Sequence, residues 1–538
     1  MKPTHRFDAI IIGAELGGIN SLHEVLELGL SVRVLEGASE VGGTWFYNQY
    51  PGCTSDTPSL LYRLYWDKED LRTYPWPNRY LTQAEILAYI KHVVSKHNMS
   101  PQIQLNTEVT SATWDPTQNR WLIQTNTDEE YTTRYLITAV GVLHEPILPS
   151  IPGIHTFRGH LLHSTQWTPD VQIANKRVGI IGCGASGIQI LTAIAPHAAS
   201  LTSFQRTPQY AIPARNAAVT SAERASYNAR YDSIIDDVWN STTGFGFRES
   251  TTPTMSVSPA ERVRVYEKLW REGGAMQFML GGFSDTFTDA AANEAACAFI
   301  CAKIAATVRD AEKARKVVPT ERFFARRPLC EEGYYEALNR ENVRVVALGE
   351  TPIEEFTPEG IRTSDGTVYG LDVIVFATGF DAIEGSYTRF PIRGREGRLL
   401  MEHWGGGAKS YLGVNCPGFP NLFFVNGPQG PFGNIPPVLQ STAQLTTQLI
   451  KEREKRLAEG GLGVVEATPE AEVEWGQRCE QMMKGSLFKH NSSWITGRNV
   501  EGRASTCRFF LGGIKLYRSA CRYAHDQGWP GILKLQST

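Results

Sequence analysis

The chain has 538 residues, 42% of them apolar and 20% charged, with 53 Lys and Arg against 56 Asp and Glu for a net charge of −3. At roughly 100–200 residues per domain that length fits three or four domains, and the composition excludes fibrous, low-complexity and mini-protein classes. The near-neutral balance leaves no long-range field to recruit nucleic acid or an anionic membrane, so any basic residue that matters acts locally.

No stretch approaches the ~18 uninterrupted apolar residues of a membrane span. Met1 to His5 leads straight into a strand-like run without a signal peptide. These features predict a cytoplasmic protein with no integral membrane segment, and no protein partner is evident. Nine cysteines form no C-x-x-C pair, which disfavours a disulfide framework, a zinc knuckle and a dithiol site. Cys297 and Cys301 have no His beside them and read as small buried residues of an Ala-rich helix, so no metal is expected.

The first readable unit is an apolar strand, Phe7 to Ile12, then Gly13-Ala14-Glu15-Leu16-Gly17-Gly18, then a helix with apolar Ile19, Leu22, Val25 and Leu26. A second strand, Val32 to Leu35, ends at Glu36. A capping box, Thr82-Gln83-Ala84-Glu85, opens another helix. The strand–glycine–helix order recurs at Arg177 to Ile181, Gly182-Cys183-Gly184-Ala185-Ser186-Gly187 and a helix through Ile194; after the next strand, Gln205-Arg206-Thr207 stands where Glu36 stood. Glycines let the backbone turn tightly and approach a pyrophosphate, whose charge then rests on free N–H groups and a helix N-terminus. An acid at the end of the second strand accepts hydrogen bonds from a ribose diol, whereas an arginine pairs with a 2′-phosphate. Gly13, Gly17, Gly18 and Glu36 therefore predict a site for a free-ribose cofactor such as FAD or NAD. Gly182, Gly184, Ser186, Gly187, Arg206 and Thr207 predict one for NADPH.

Two strands, Tyr135 to Gly141 and Val373 to Gly379, resemble the crossover segments of two-dinucleotide flavoproteins. Between Arg215 and Thr320 the pattern turns helical, as in Ala260 to Tyr266 and Ala291 to Ala296. The predicted fold is α/β, with two Rossmann-like dinucleotide-binding domains and a helical insertion in the second. Residues 1–145 and 385–538 are assigned to the first domain, 146–216 and 320–384 to the second, and 217–319 to the insertion.

The segment Gly42-Gly43-Thr44-Trp45-Phe46-Tyr47-Asn48-Gln49-Tyr50-Pro51-Gly52-Cys53-Thr54-Ser55-Asp56 and the spacing F-x-G-x-x-x-H-x-x-x-W at Phe157, Gly159, His163 and Trp167 are fingerprints. Through them the chain resembles the flavin-dependent Baeyer-Villiger monooxygenases that use FAD and NADPH. The likeness continues through Phe204 to Pro208, Arg326-Arg327-Pro328, Ala377 to Asp381, and Trp494 with Asn499. It implies insertion of one oxygen atom from O2 beside a ketone carbonyl, through a C4a-peroxyflavin, to give an ester or lactone. It implies that Arg327 is the cation stabilising the peroxide, that Asp56 orients it, that Arg326 contacts the NADPH phosphate, that Gly43, Thr44, Trp45 and Asp56 lie by the flavin, and that Trp494 closes over the nicotinamide ribose. The loop Gly430 to Pro437 is implied to border the substrate pocket. His163 and Trp167, four apart, equally suit an aromatic pair packed under a linker.

Three residues depart from the pattern: Glu15 replaces the middle glycine, Thr168 follows Trp167, and Arg326 replaces a lysine. A Glu15 carboxylate pointing at a pyrophosphate from ~4 Å would cost about 4 kcal/mol at an effective dielectric near 20, so weakened FAD binding is expected. Two rival readings follow, an N- or S-oxygenating flavin monooxygenase and a flavin-poor NADP(H)-binding protein.

Overall fold

In the computed structural model, residues 4–459, 463–487, 493–500 and 502–532 are described. Met1 to Pro3, part of the leader reading, lie outside the described residues. Thr4–Ile12 forms a strand whose Ala9, Ile10 and Ile11 are fully buried. Covered on both faces, it needs the unbroken apolar run seen in its sequence rather than an alternating one. Parallel neighbours flank it, Val32–Leu35 on one side and Glu130–Thr138 on the other. Arg120–Thr125 and Val109–Asp115 extend the sheet antiparallel. Two strands arrive from late in the chain: Leu422–Phe424 pairs with Glu130–Thr138, and Ile392–Arg393 with Val109–Asp115.

A second sheet of five strands is parallel throughout, in the order Val343–Ala347, Ser200–Gln205, Arg177–Ile181, Val373–Phe376 and His160–His163. From this unit the chain leaves through Ala211–Pro213, runs through helices from Ser221–Ala229 to Ala311–Val317, and returns at Leu329–Glu331. The outgoing and returning strands pair in parallel, Ala211 with Leu329. That pairing clamps the two ends of the helical excursion together and fixes the residues immediately before Leu329, among them Arg327.

The α/β class with two dinucleotide-type sheets, one mixed and one parallel, and an intervening helical block is thus the one observed. The local readings agree: Leu16–Glu27 and Ala185–Ile194 are helices directly after the glycine turns, and Thr82 with Glu85 forms a complete capping box on Gln83–Lys96. All nine cysteines are free. Cys297 lies on the helix Ala290–Thr307, its thiol 3.3 Å from the Asn293 side-chain oxygen. Among the described residues no cluster of His, Cys, Asp and Glu could hold a metal, and no helix is long and apolar enough to cross a membrane.

Candidate active site

The two glycine turns are built alike. Gly13 (φ +101°) and Gly182 (φ +112°) adopt backbone conformations that favour glycine. A side chain on Gly13 would meet the Ala139 carbonyl oxygen at 2.5 Å, and one on Gly182 would strike that of Ala377. Gly18 and Gly187 in turn lie against the carbonyls of Gly13 and Gly182. Each turn is therefore wedged against the end of a crossover strand, which explains why Tyr135 to Gly141 and Val373 to Gly379 end in the same way. A side chain on Gly184 would meet only the Gln209 amide, at 3.9 Å, which leaves the backbone approachable by a pyrophosphate. Gly17 instead faces Val425 and Leu439, and there its bareness serves packing.

In the first turn, Glu36 is buried and accepts hydrogen bonds from the Ala14 N–H at 2.7 Å and the Ala38 N–H at 2.9 Å. It thereby links the end of the second strand to the turn, where an acid for a ribose belongs. Burial pushes its pKa up, against the pull of those bonds. The Glu15 carboxylate is held sideways: one oxygen accepts from the Thr44 N–H at 3.1 Å and the Thr44 hydroxyl at 3.0 Å. Gly43 (φ +48°) leaves room for it, since a Cβ there would sit 2.7 Å from that oxygen. Burial is the main reason its pKa rises to about 7, with Glu36 adding to the rise and Thr44 opposing it. The full inward repulsion expected from the sequence is therefore moderated by two hydrogen bonds and by partial neutralisation near pH 7.

In the second turn, Arg206 is exposed at the end of Ser200–Gln205 and forms no ion pair among the described residues. Arg326 pairs with Glu321 at 2.9 Å. Both guanidiniums act on the Cys183 thiol within the turn: burial pushes its pKa to about 11, and both arginines pull against that rise. Two cations thus flank the glycine turn, one unpaired and one already engaged. The Thr207 carbonyl accepts from the same thiol at 3.1 Å. Ser186 donates to the Tyr50 hydroxyl at 3.2 Å, and Tyr50 donates to Gln189 at 2.9 Å. Gln189 also reaches the Thr54 carbonyl at 3.0 Å. Helix Ala185–Ile194 and the loop around Tyr50 to Asp56 are thereby bound together.

That loop carries the central pair. Arg327 makes a two-pronged ion pair with Asp56, one prong at 2.8 Å from Nη2 to Oδ1. Burial lowers the Arg327 pKa, but the Asp56 charge and hydrogen bonds more than reverse this, so the net shift is upward and the guanidinium is a permanent cation. Tyr62 feels the charges of both this pair and the first glycine turn: burial raises its pKa most, and both Glu15 and Asp56 add to the rise. Residues 271 positions apart in sequence thus meet in one ion pair.

Other expected site residues have more structural surroundings. Trp45 is buried, with its indole N–H donating to the Tyr62 hydroxyl at 3.0 Å. Its one side-chain N–H is thus already engaged. Trp494 packs against Phe509 and Phe432, ring centres 5.4 and 6.3 Å away, and so lies at the Gly430 to Pro437 loop. His163 is buried, pushed down to about pKa 4 mainly by burial, and its ring meets Phe380 edge-on at 5.6 Å. Its packing partner is the second crossover segment.

The sequence reading missed Arg503 and Arg508. Arg508 is fully buried and bonds Glu384 at 2.7 Å; Arg503 pairs with Asp381 and, at 3.3 Å, with Glu384. With Asn499 donating to the Phe380 carbonyl at 2.8 Å, they dock the C-terminal segment onto the second crossover. The available signal was the pair of acids, Asp381 and Glu384, directly after the Ala377 to Asp381 motif.

Two dinucleotide turns, an unpaired arginine at one and a buried acid at the other, and an arginine–aspartate pair between them define a flavoprotein oxidoreductase of the two-dinucleotide type. Comparison with known proteins narrows the class. The flavin-binding monooxygenase-like family profile matches residues 7–219. The chain is 44% identical to phenazine N-monooxygenase of Lysobacter antibioticus, with 98% of this chain and 97% of that protein covered. It is 39% identical to cyclohexanone 1,2-monooxygenase of an Acinetobacter species, covering 98% and 96%. The crystal structure of cyclohexanone monooxygenase from Rhodococcus sp. Phi1 bound to NADP+ superposes with a TM-score of 0.96 at 43% identity over the whole of both chains. The chain belongs to the Baeyer-Villiger branch of the flavin-binding monooxygenases.

Proposed function

We propose that this protein inserts one oxygen atom from O2 next to a ketone carbonyl, giving an ester or lactone, with FAD as prosthetic group and NADPH as reductant. The observation that carries it is the partly buried, two-pronged Arg327–Asp56 ion pair. Gly13, Gly18 and Glu36 would hold FAD, with Thr44 beside it; Gly182, Gly184, Gly187, Arg206 and Thr207 would hold NADPH. This divides the chain into an FAD part at 1–145 and 385–538, an NADPH part at 146–216 and 320–384, and helices at 217–319. The flavin supplies, when bound, acceptance of hydride and reaction with oxygen. Arg327 presents a fixed positive charge where negative charge develops on oxygen, and it cannot give up its proton to neutralise that charge. Asp56 holds both prongs of the guanidinium so that little reorganisation is needed when the charge appears. Residence in the cytoplasm is supported by nine unpaired thiols, which suit a reducing compartment.

N-oxygenation is a second reading because phenazine N-monooxygenase is among the similar proteins. The purified enzyme should be given NADPH with a cyclic ketone, a thioether or an aromatic N-heterocycle, and the products quantified. Ester or lactone as the fastest product is expected; an N-oxide formed faster, with no ester, would replace the ketone assignment.

Glu15 makes FAD binding pH-dependent. Its carboxyl ionises near pH 7 in the free turn, and a diphosphate nearby disfavours the charged form, so binding takes up a proton. Affinity for FAD should fall as pH rises through about 7, by at most about tenfold per unit. Glu15→Gln should flatten the profile, and Glu15→Gly should bind more tightly at pH 8. Flavin fluorescence titration at pH 6 and pH 8 reads this; equal wild-type constants at both would show that the carboxylate stays clear of the cofactor.

A further inference from the structure

Where the helices Ser221–Ala229 and Tyr231–Asn240 lie on the segment that runs from Leu60 to Tyr89, the protein buries an excess of hydrogen-bond donors. Arg63 is fully buried, and none of its three guanidinium nitrogens has a hydrogen-bond partner. Its guanidinium carbon lies 4.5 Å from the Tyr89 ring centre and 5.1 Å from that of Tyr74. The ring faces attract the cation but offer no lone pair to its in-plane N–H groups. Close by, Arg224 stacks over Trp76 at 4.3 Å. It donates from Nη2 to the carbonyls of Arg72 at 2.9 Å and Tyr74 at 3.0 Å, while Nη1 is buried without a partner. The indole N–H of Trp76, a residue 5% exposed, is likewise unpartnered.

The two guanidiniums meet at one residue, Tyr74, whose ring centre lies 5.1 Å from the Arg63 guanidinium carbon and whose carbonyl accepts from Arg224 at 3.0 Å. Burial raises the pKa of the Tyr231 hydroxyl to about 12, and both Arg63 and Arg224 pull against that rise. Burial also lowers the pKa of Arg224, and the Arg63 charge lowers it further. The acid whose charge acts on Arg63 is already committed: Asp70 accepts from Lys96 at 2.6 Å and pairs with His92 at 2.8 Å. Two cations thus leave five guanidinium and indole nitrogens unsatisfied, Nε, Nη1 and Nη2 of Arg63, Nη1 of Arg224 and Nε1 of Trp76; the Asp70 charge acts on Arg63, but no carboxylate among the described residues is hydrogen-bonded to any of the five. Uncompensated charge of that kind is among the most destabilising features a protein interior can carry.

We propose that Arg63, Arg224 and Trp76 bind a halide, chloride in the cell, that bridges the 60–89 segment and the helical insertion. The chemistry selects the class. The unsatisfied side-chain groups are donors apart from the Asn228 side-chain oxygen, whose amide nitrogen bonds the Arg72 carbonyl at 3.0 Å. Water would satisfy hydrogen bonds but leave the two charges opposed, whereas a monoanion does both. The site is separate from the Arg327–Asp56 pair, and its occupancy is a matter of holding the helical block in place.

Crystals of the holoenzyme grown in sodium bromide test it by anomalous scattering. A bromide peak within hydrogen-bonding distance of Arg63, Arg224 and the Trp76 indole is expected; bromide elsewhere on the molecule with none here, or water alone here, overturns the proposal. In solution, exchanging 100 mM gluconate for chloride at constant ionic strength should raise the unfolding midpoint by roughly 3 °C or more. Sulfate at the same ionic strength should do less. Arg63→Met, which removes the buried charge and keeps much of the stem, should lose the chloride effect, and Arg224→Gln should reduce it. A chloride effect of unchanged size in both variants would also overturn the assignment.

Discussion

Arg327→Ala is expected to cut ester formation by roughly 10²–10³-fold, the usual cost of removing one preorganised stabiliser of an oxyanion, while NADPH consumption continues and its electrons emerge as hydrogen peroxide. The reasoning rests on where the charge is held. Arg327 meets Asp56 through both prongs, and Asp56 sits on the loop that Gln189 of the second unit's helix ties down at the Thr54 carbonyl. Hydride delivery from NADPH depends on the second turn and should be at least partly retained. Asp56→Ala should resemble Arg327→Ala more mildly, because it removes the positioning group and leaves the cation. Arg327→Lys separates charge from geometry: it keeps a cation but loses the two-pronged contact, so intermediate coupling is expected. The measurement is three numbers from one reaction, NADPH oxidised, peroxide released and ester formed. Ester at the wild-type rate in Arg327→Ala would remove this residue from the mechanism.

How far the sequence could be read depended on whether a feature is local. The strand–glycine–helix units were legible because glycine at a positive φ and an apolar run are properties of a few adjacent residues; Gly13 and Gly182 are where the backbone needs them. The Arg327–Asp56 contact was legible only through family resemblance, since no periodicity connects residues 271 apart. What spacing could not reveal was side-chain direction. Glu15 reads as a bare charge beside a pyrophosphate, and spacing gives no hint that Thr44, brought in by the loop after the second strand, shares its carboxylate. Trp45 reads as a cofactor contact, and its indole N–H is already given to Tyr62, so any such contact falls to its ring. Arg63 carries no motif at all: it is one arginine in an aromatic stretch, and its isolation exists only after helices more than 150 residues later have closed over it.

Arg206 and Arg326 are both cations beside the second turn, and the structure distinguishes their expected weights. Arg206 stands at the strand end that the first unit gives to Glu36, is exposed, and has no acid partner among the described residues. A 2′-phosphate there would gain a charge-assisted, two-pronged contact at no cost in broken pairs. Arg326 must leave Glu321, or share its charge, before it can serve a phosphate. Arg206→Ala is therefore expected to raise the Michaelis constant for NADPH by roughly 10- to 150-fold, the equivalent of losing one charged hydrogen-bonded contact, while that for NADH, which lacks the phosphate, changes little. Arg326→Ala should shift the NADPH constant less than Arg206→Ala does, and Glu321→Gln, by freeing Arg326, should lower it. Steady-state kinetics with each nucleotide at saturating ketone measure these differences directly. Equal increases for NADPH and NADH in Arg206→Ala would mean that the residue holds the second domain together rather than reading the phosphate, and a larger effect of Arg326→Ala would hand the selective role to the arginine next to Arg327.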